Sequence, residues 1–465
     1  MPQPDGGASH GVGVGVGGPS GPSLPPGGWD GADRPSAGRV WRVTALAVSG
    51  GVLAGLVGGA FRRSLVLADD YRDQLFAWAR LGSLWRWVVP VLVAVAAVAL
   101  ARLIVRRVPE SSGSGVQRVE AELRTTVRPV RIALLPAKFV GGLLSIGAGM
   151  ALGREGPTVQ MGASLGAELA RRARLSPPEV RVLTAATAGA GLAVAFSAPV
   201  GGALFVFEEV AHAFRVRLVL TTVAAVAAAI AASSLVIGTR PVFSVGRVPM
   251  EPLRTLPAYV VLGLLLGAAG VAYNRLTILL LNGVEGLRGL APEAKAALIG
   301  GVVGLIGIGA PELIGGGESL GQDVLAGGNA LGYLGIVLVI RWFLGPLCYS
   351  AGTPGGLFAP LLLVGAAAGS LFAGSLHAVL PSLGMASTAG AIVGMSTFFT
   401  AVVRAPLTGV VLIVEMTATT SLIVPMLLAA MAALISTTLL NGPPIYDTLR
   451  QRMRDPAAGP HGTGR

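Results

Sequence analysis

Gly153-Arg154-Glu155-Gly156-Pro157 and Gly355-Gly356-Leu357-Phe358-Ala359-Pro360 each set glycine before proline at the threshold of an apolar stretch. Proline in a first helical turn gives up an N–H that has no partner there, and glycine lets the preceding chain turn tightly. The remaining amides point out of the helix end, where a partial positive charge of about half an electron accumulates, so each segment is a candidate anion site. Gly113-Ser114-Gly115 is a third candidate, a hydroxyl donor between flexible residues. Three uncharged donor sets converging on one point would hold an anion without locking it to a lysine or arginine. A conduction pathway needs that compromise between binding and release.

Glu155 falls inside this array, and an ionisable group at membrane depth is functional by default. Its carboxylate is itself an anion that competes for the site; protonation removes the charge and frees the side chain. Burial favours the neutral form and the helix dipole the ionised one, so their balance makes a switch. The competing reading pairs Glu155 with Arg154 or makes it a helix cap. Glu208 and Glu209 end a long apolar run ahead of His212. They read either as proton acceptors facing water or as an interfacial pair neutralised by Arg215 and Arg217. Glu415, at the matching place in an internal repeat, reads as a brace for the fold. Lys138, one of two lysines with Lys295, is expected to snorkel or neutralise an acid.

These residues must be positioned by elements suited to lipid. Of 465 residues, 53% are hydrophobic and 12% charged, and the mean hydropathy is +0.72. That is about half the charge of a soluble domain, which excludes a soluble enzyme, a disordered chain and a disulfide scaffold. The 68 Gly and 31 Pro sit largely inside apolar segments, which transmembrane helices tolerate. The formal net charge of +12 comes in short runs between those segments (Arg62-Arg63, Arg106-Arg107, Arg171-Arg172, Arg450/Arg452/Arg454). That is the pattern of cytoplasmic loops and not of a nucleic-acid binder. Cys348 is the single cysteine, and His10, His212, His377 and His461 lack ligand spacing, so no metal, redox centre or other cofactor is expected. Gly162-Ala163-Ser164-Leu165-Gly166 matches an esterase pattern, but it lies inside an apolar helix with no histidine near. A hydrolase would rest on Ser164 alone. The glycine runs at 11–18 and 315–317 lack a strand-helix context for nucleotides.

Residues 1–38 form a Gly/Pro-rich tail without a signal-peptide core, expected on the cytoplasmic side. Spans are expected near 43–61 and 86–105. Gly51, Gly55 and Gly59 on the first allow another helix to approach closely. Apolar pieces follow near 130–151, 157–170, 182–211, 218–238, 257–281, 296–314, 329–350, 357–380, 388–403, 405–418 and 420–440. Many are short or cut by Gly or Pro, and broken backbone at membrane depth survives only where protein covers it or it lines a cavity. The segment 197–209 parallels 404–416 at an offset of 207, and the Gly-x-x-x-Pro frame of 153–157 recurs at 356–360, an offset of 203. Two related halves follow, about 40–240 and 255–447, within a membrane domain at 39–447, with a short basic tail at 448–465.

Gly153–Gln160, Gly113-Ser114-Gly115-Val116, Gly356–Pro360 and Pro444-Ile445-Tyr446-Asp447 occur in the order seen in the CLC family, and the chain resembles that family from about 43 to 450. The resemblance implies an all-α polytopic fold of two inverted halves with tilted, broken helices. It also implies a homodimer in the cell membrane with an anion pathway in each subunit and both termini cytoplasmic. By motif position, Ser114 and Tyr446 would give hydroxyls to a central chloride. The amides of Gly356, Leu357 and Phe358 would bind it from the second half, and those of Arg154–Gly156 would form an outer site. Glu155 matches the gating glutamate and Glu209 the internal proton acceptor of the exchangers. The implied activity is chloride/proton antiport; the alternatives are a passive chloride channel and a fluoride-exporting relative. Gln117 stands where many members carry proline, and the ATP-sensing cytoplasmic CBS pair is not expected.

Overall fold

The computed structural model describes residues 37–124 and 132–454, and among them the secondary structure is helical without strands. The first half runs α1 (Ala37–Arg80), α2 (Val88–Arg107), α3 (Val116–Leu123), α4 (Leu134–Gly147), α5 (Glu155–Arg172), α6 (Pro177–Phe196), α7 (Pro199–Phe205) and α8 (Val216–Ile237). The second runs α9 (Leu256–Glu285), α10 (Pro292–Gly309), α11 (Glu318–Ala326), α12 (Leu331–Ser350), α13 (Phe358–Val379) and α14 (Ser387–Val403). It continues with α15 (Pro406–Thr417), α16 (Ile423–Leu439) and α17 (Ile445–Arg454). Eight described helices are long and apolar enough to cross a membrane, which makes this a multi-pass membrane protein.

Burial divides the helices into two classes. The apolar stretch of α6 is 89% buried inside the protein and that of α2 only 28%. Leu92, Val93 and Leu100 on α2 accordingly turn outward, as lipid allows. The central helices start and stop abruptly. A capping box starts α6, with the Ser176 amide and hydroxyl donating to Glu179 at 2.9 and 2.7 Å. Ser197, left-handed at φ 51°, ends it; the proline two residues later opens α7. Arg404, at φ 77°, and Pro406 repeat that device between α14 and α15.

The repeat is built as a two-fold. Gly153 and Gly356, equivalent in the two halves, exchange both backbone hydrogen bonds, N–H to O at 2.8 and 2.7 Å, in an antiparallel bridge. A residue that pairs antiparallel with its own equivalent sits on a local two-fold axis, so the halves are inverted with respect to each other. The acids of the 207-residue repeat obey the same symmetry. Glu208 accepts from the Leu407 and Thr408 amides at 3.1 and 2.7 Å, capping α15. Glu415 accepts from the Val200 and Gly201 amides at 3.0 and 2.7 Å, capping α7. Each half thus supplies the carboxylate that satisfies the other's helix start.

Several expected boundaries move. The span expected at 43–61 is the middle of α1, which continues to Arg80. Arg62, Arg63, Asp69 and Asp70 end the apolar signal but not the helix, and an Asp69–Arg72 ion pair one turn apart supports its continuation. The piece at 182–211 is three elements: the end of α6, all of α7, and a π-turn over Val206–Val210. The C-terminal tail expected from 448 begins as helix, since α17 runs to Arg454 and Arg450 pairs with Glu120 and Asp447. Ala37 and Gly38, assigned to the N-terminal tail, already belong to α1. The remaining tail positions, with His10, His461 and the run at 11–18, lie outside the described residues, as do 130 and 131.

The glycines of α1 take the expected role. Cβ atoms at Gly51 and Gly55 would collide with the backbone of Ala225 and Ala229 on α8, and one at Gly59 would press on Ser233 and Val236. Gly55→Leu should cost about 1–3 kcal/mol through overpacking, read as a lower thermal unfolding midpoint of the purified protein in detergent.

Candidate functional site

Three loops from two halves are knitted together by backbone. Besides the Gly153–Gly356 exchange, Gly113 N–H donates to the Thr353 carbonyl at 3.1 Å, and Gly355 N–H donates to the Gly113 carbonyl at 3.1 Å. Gly113 and Gly115 are left-handed at φ 61° and 89°, a conformation that glycine adopts at little cost, and Gly115 caps α3. Ser114 between them is fully buried. Gly156 lets α5 start directly against it, since a Cβ there would collide with the Ser114 side chain and backbone.

Glu155 lies at the centre of this knot. Its buried carboxylate accepts a hydrogen bond from the Phe358 amide at 2.8 Å, with the Ala359 amide beside it. The second carboxylate oxygen has no hydrogen-bond partner among the described residues. A Cβ on Gly153 or Gly356 would collide with this carboxylate. Leu357 caps α13 and Phe358 begins it, so the amides that receive Glu155 are those of a helix N-terminus. The Phe358 ring is wedged by Phe399, Phe205, Tyr446 and Phe196, at centroid distances of 4.8, 5.5, 5.7 and 6.3 Å. Those rings fix the backbone that presents the amide.

The Tyr446 hydroxyl, also fully buried, neighbours Ser114 and Glu155. The two hydroxyls interact with each other, and neither has a hydrogen bond to any other described residue. Two buried hydroxyls left open beside a helix N-terminus are what an anion would complete. Arg154 does not pair with Glu155: its side chain donates to the Ala195 carbonyl at 2.9 Å and to Glu318 at 3.0 Å.

Glu208 and Glu209 part company. Glu208 is the α15 cap described above and Arg217 serves Glu179 at 3.0 Å, so for Glu208 and Arg217 the reading as a neutralised interfacial pair gives way to helix capping. Glu209 sits in the π-turn, 7% exposed, in a charged basin with Glu208, Asp447 and Arg124. Tyr446 lies within electrostatic reach of Glu209 as well as Glu155. A cavity of about 780 Å3 opens next to Gly113, with Arg102, Arg118, Lys295 and Arg452 on its walls against Glu110 and Glu285. Ser164 donates to the Gln160 carbonyl one turn back at 2.8 Å, inside α5, and has no base beside it. Among the described residues no group of three His, Cys, Asp or Glu side chains could hold a metal.

Lys138 corrects an expectation. It neither snorkels nor meets an acid; fully buried, it donates to the Ser111 and Gly113 carbonyls at 3.0 and 2.7 Å, bracing the Ser114 loop. Two supports were missed in the sequence. Tyr349 receives the Ser114 amide on its hydroxyl and a hydrogen bond from Gln117 at 3.3 Å; Ser145 donates to the Pro354 carbonyl. Nothing local marks either residue, because each acts on a segment far away in sequence.

The family model described as voltage gated chloride channel matches residues 97–438. The chain is 37% identical over 422 residues to the H(+)/Cl(-) exchange transporter ClcA of Klebsiella pneumoniae (strain 342), covering 88% of each chain. It is 35% identical over 422 residues, with the same coverage, to the transporter so named in Salmonella arizonae. A crystal structure of a slow cyanobacterial Cl-/H+ antiporter superposes with a TM-score of 0.86 at 31% identity, covering 90% of this chain and 99% of the other. A CLC-type fluoride/proton antiporter shares the fold, with a TM-score of 0.75 at 19% identity, covering 89% of this chain and 98% of the other. The chain belongs to the voltage-gated chloride channel (CLC) family.

Removing the Lys138 ammonium would leave two buried carbonyls unpaired. Lys138→Met should therefore cost about 2–3 kcal/mol of stability and weaken chloride binding. Thermal unfolding and chloride titration calorimetry in detergent check the two effects.

Proposed function

We propose that this protein exchanges chloride for protons across the cell membrane, with Glu155 as gate and Glu209 as the inner proton acceptor. One observation carries the reading: a buried carboxylate lies on the Phe358 amide, beside the hydroxyls of Ser114 and Tyr446. An anion held by those donors and the ionised Glu155 exclude each other. Protonation removes the charge that holds Glu155 there, the side chain leaves, and chloride takes the amides of Gly356, Leu357 and Phe358 with the two hydroxyls. The amides of Arg154–Gly156 hold chloride one step further out. The return of the Glu155 side chain requires chloride to leave and Glu155 to lose the proton, so each ion's movement depends on the other.

Glu209 supplies the second proton site. Its slight exposure and its basin of Glu208, Asp447 and Arg124 suit exchange with water, and Tyr446 stands between the two acids electrostatically. The cavity beside Gly113 serves as the anion's approach from the same side, and the basic character of α17 supports reading that side as cytoplasmic. The curated relatives carry the exchange activity in their names, which favours antiport over a passive pore.

The working form is a homodimer with one pathway per subunit. Val200, Leu220, Leu407, Met431 and Ile435 on α7, α8, α15 and α16 are all 48–54% exposed. The short α7 ends in a π-turn, and such irregular backbone needs protein against it and not lipid.

In proteoliposomes with a chloride gradient and no pH gradient, chloride flow should drive protons uphill; the absence of such pumping eliminates antiport. Glu155→Ala should make chloride flux insensitive to pH. Glu209→Gln should keep chloride flux within about threefold while proton pumping disappears, and retained coupling in both variants would refute the assignments.

A further inference from the structure

Arg154 precedes the gate in sequence and lies within its electrostatic reach, yet its guanidinium is held elsewhere. Glu318 holds it, through a two-pronged ion pair across 164 positions of sequence, while the Ala195 carbonyl takes the Nε proton at 2.9 Å. Glu318 is itself fixed in place. It opens α11, where the helix end favours an acid, directly after Gly317 at φ 90°. The loop before it is clamped by the buried Arg341, which donates to the carbonyls of Leu313, Gly315 and Gly316 at 3.1, 2.9 and 3.2 Å.

The charge around this pair is unbalanced. Arg62 on α1 donates to Ser197 at 2.6 Å and shares its electrostatic neighbourhood with both Arg154 and Glu318. Asp69, also on α1, reaches Glu318 electrostatically, but it is engaged by Arg72. Two guanidiniums, Arg62 and Arg154, therefore share Glu318 as a nearby acid, and Arg154 is the one of the two that reaches the gate. Around Glu155 itself the facing groups are Arg154, Tyr446 and the amides of Phe358 and Ala359.

We propose that Glu318 is a positioning residue for the gate: it keeps the Arg154 guanidinium off the Glu155 carboxylate. Without Glu318, Arg154 is free to pair with Glu155, and the ionised, closed form of the gate gains a partner. Releasing the gate then takes more acid. Pairing a guanidinium with a buried carboxylate moves such a balance by about one pH unit, or about tenfold in the population of the released form. The proposal rests on the reading of Glu155 as gate.

The test is chloride turnover in proteoliposomes from pH 4.5 to 8. Glu318→Gln should shift the acid-activated limb about one unit lower, with turnover near neutrality down roughly fivefold to tenfold and recovered in acid. Glu318→Asp, which keeps the charge, should restore most of the original profile. In a Glu155→Ala background the Glu318→Gln change should cost less than twofold, since no gate carboxylate remains to be captured. Arg62→Gln, which leaves Glu318 to Arg154 alone, should shift the limb the opposite way; it serves as the readout if Glu318→Gln does not reconstitute. An unshifted limb in Glu318→Gln, or an equal loss at every pH that persists without Glu155, overturns the proposal. A pH profile that survives in Glu155→Ala alone would instead refute the gate assignment.

Discussion

Antiparallel exchange of two hydrogen bonds between Gly153 and Gly356 is the contact on which the rest of the molecule depends. It forces the amino ends of α5 and α13 to face one buried point from opposite halves. It also tolerates no side chain, because the Glu155 carboxylate fills the space a Cβ would need on either glycine. The proposed anion site is thus made of peptide dipoles and two hydroxyls, donors of modest strength that cannot be neutralised by a change in pH. The fixed cations nearby are spent on backbone or on acids. Lys138 serves two carbonyls, Arg341 three, and Arg154 a carbonyl and Glu318.

The acids show how a duplicated framework acquires function by departing from its own symmetry. Glu208 and Glu415 remain equivalent and do equivalent work as helix caps. Glu209 corresponds to Met416 and Glu155 to Phe358, so the two acids assigned to proton movement both lie in the first half. The second half contributes the Phe358 amide against which the first half's acid rests. In the proposed mechanism one half is a platform and the other carries the titrating acids.

Much of this was legible in the chain. The Gly-x-x-x-Pro frames, Ser114 and the offset of the repeat are local patterns, and they locate the loops that the structure brings together. The extent of α1 was not legible, because hydropathy reports where lipid ends while backbone hydrogen bonding continues to Arg80. Nor were the partners of buried charges: Lys138 meets carbonyls 25 and 27 positions away, and Arg154 meets an acid 164 positions away. The split between Glu208 and Glu209 depends on a π-turn, which re-aims adjacent side chains and leaves no signature in composition.

The crossed caps have a consequence for biogenesis. When α7 leaves the ribosome, the acid that will satisfy the Val200 amide is still 215 residues from being made. At a typical synthesis rate of about 5–20 residues per second, that helix start waits on the order of ten seconds or more with its donors uncapped. The nascent first half is therefore an unfinished object in the bilayer, dependent on the insertion machinery or lipid headgroups for shelter. It gains that cap only when Glu415 arrives, with 50 residues of the 465 still to follow.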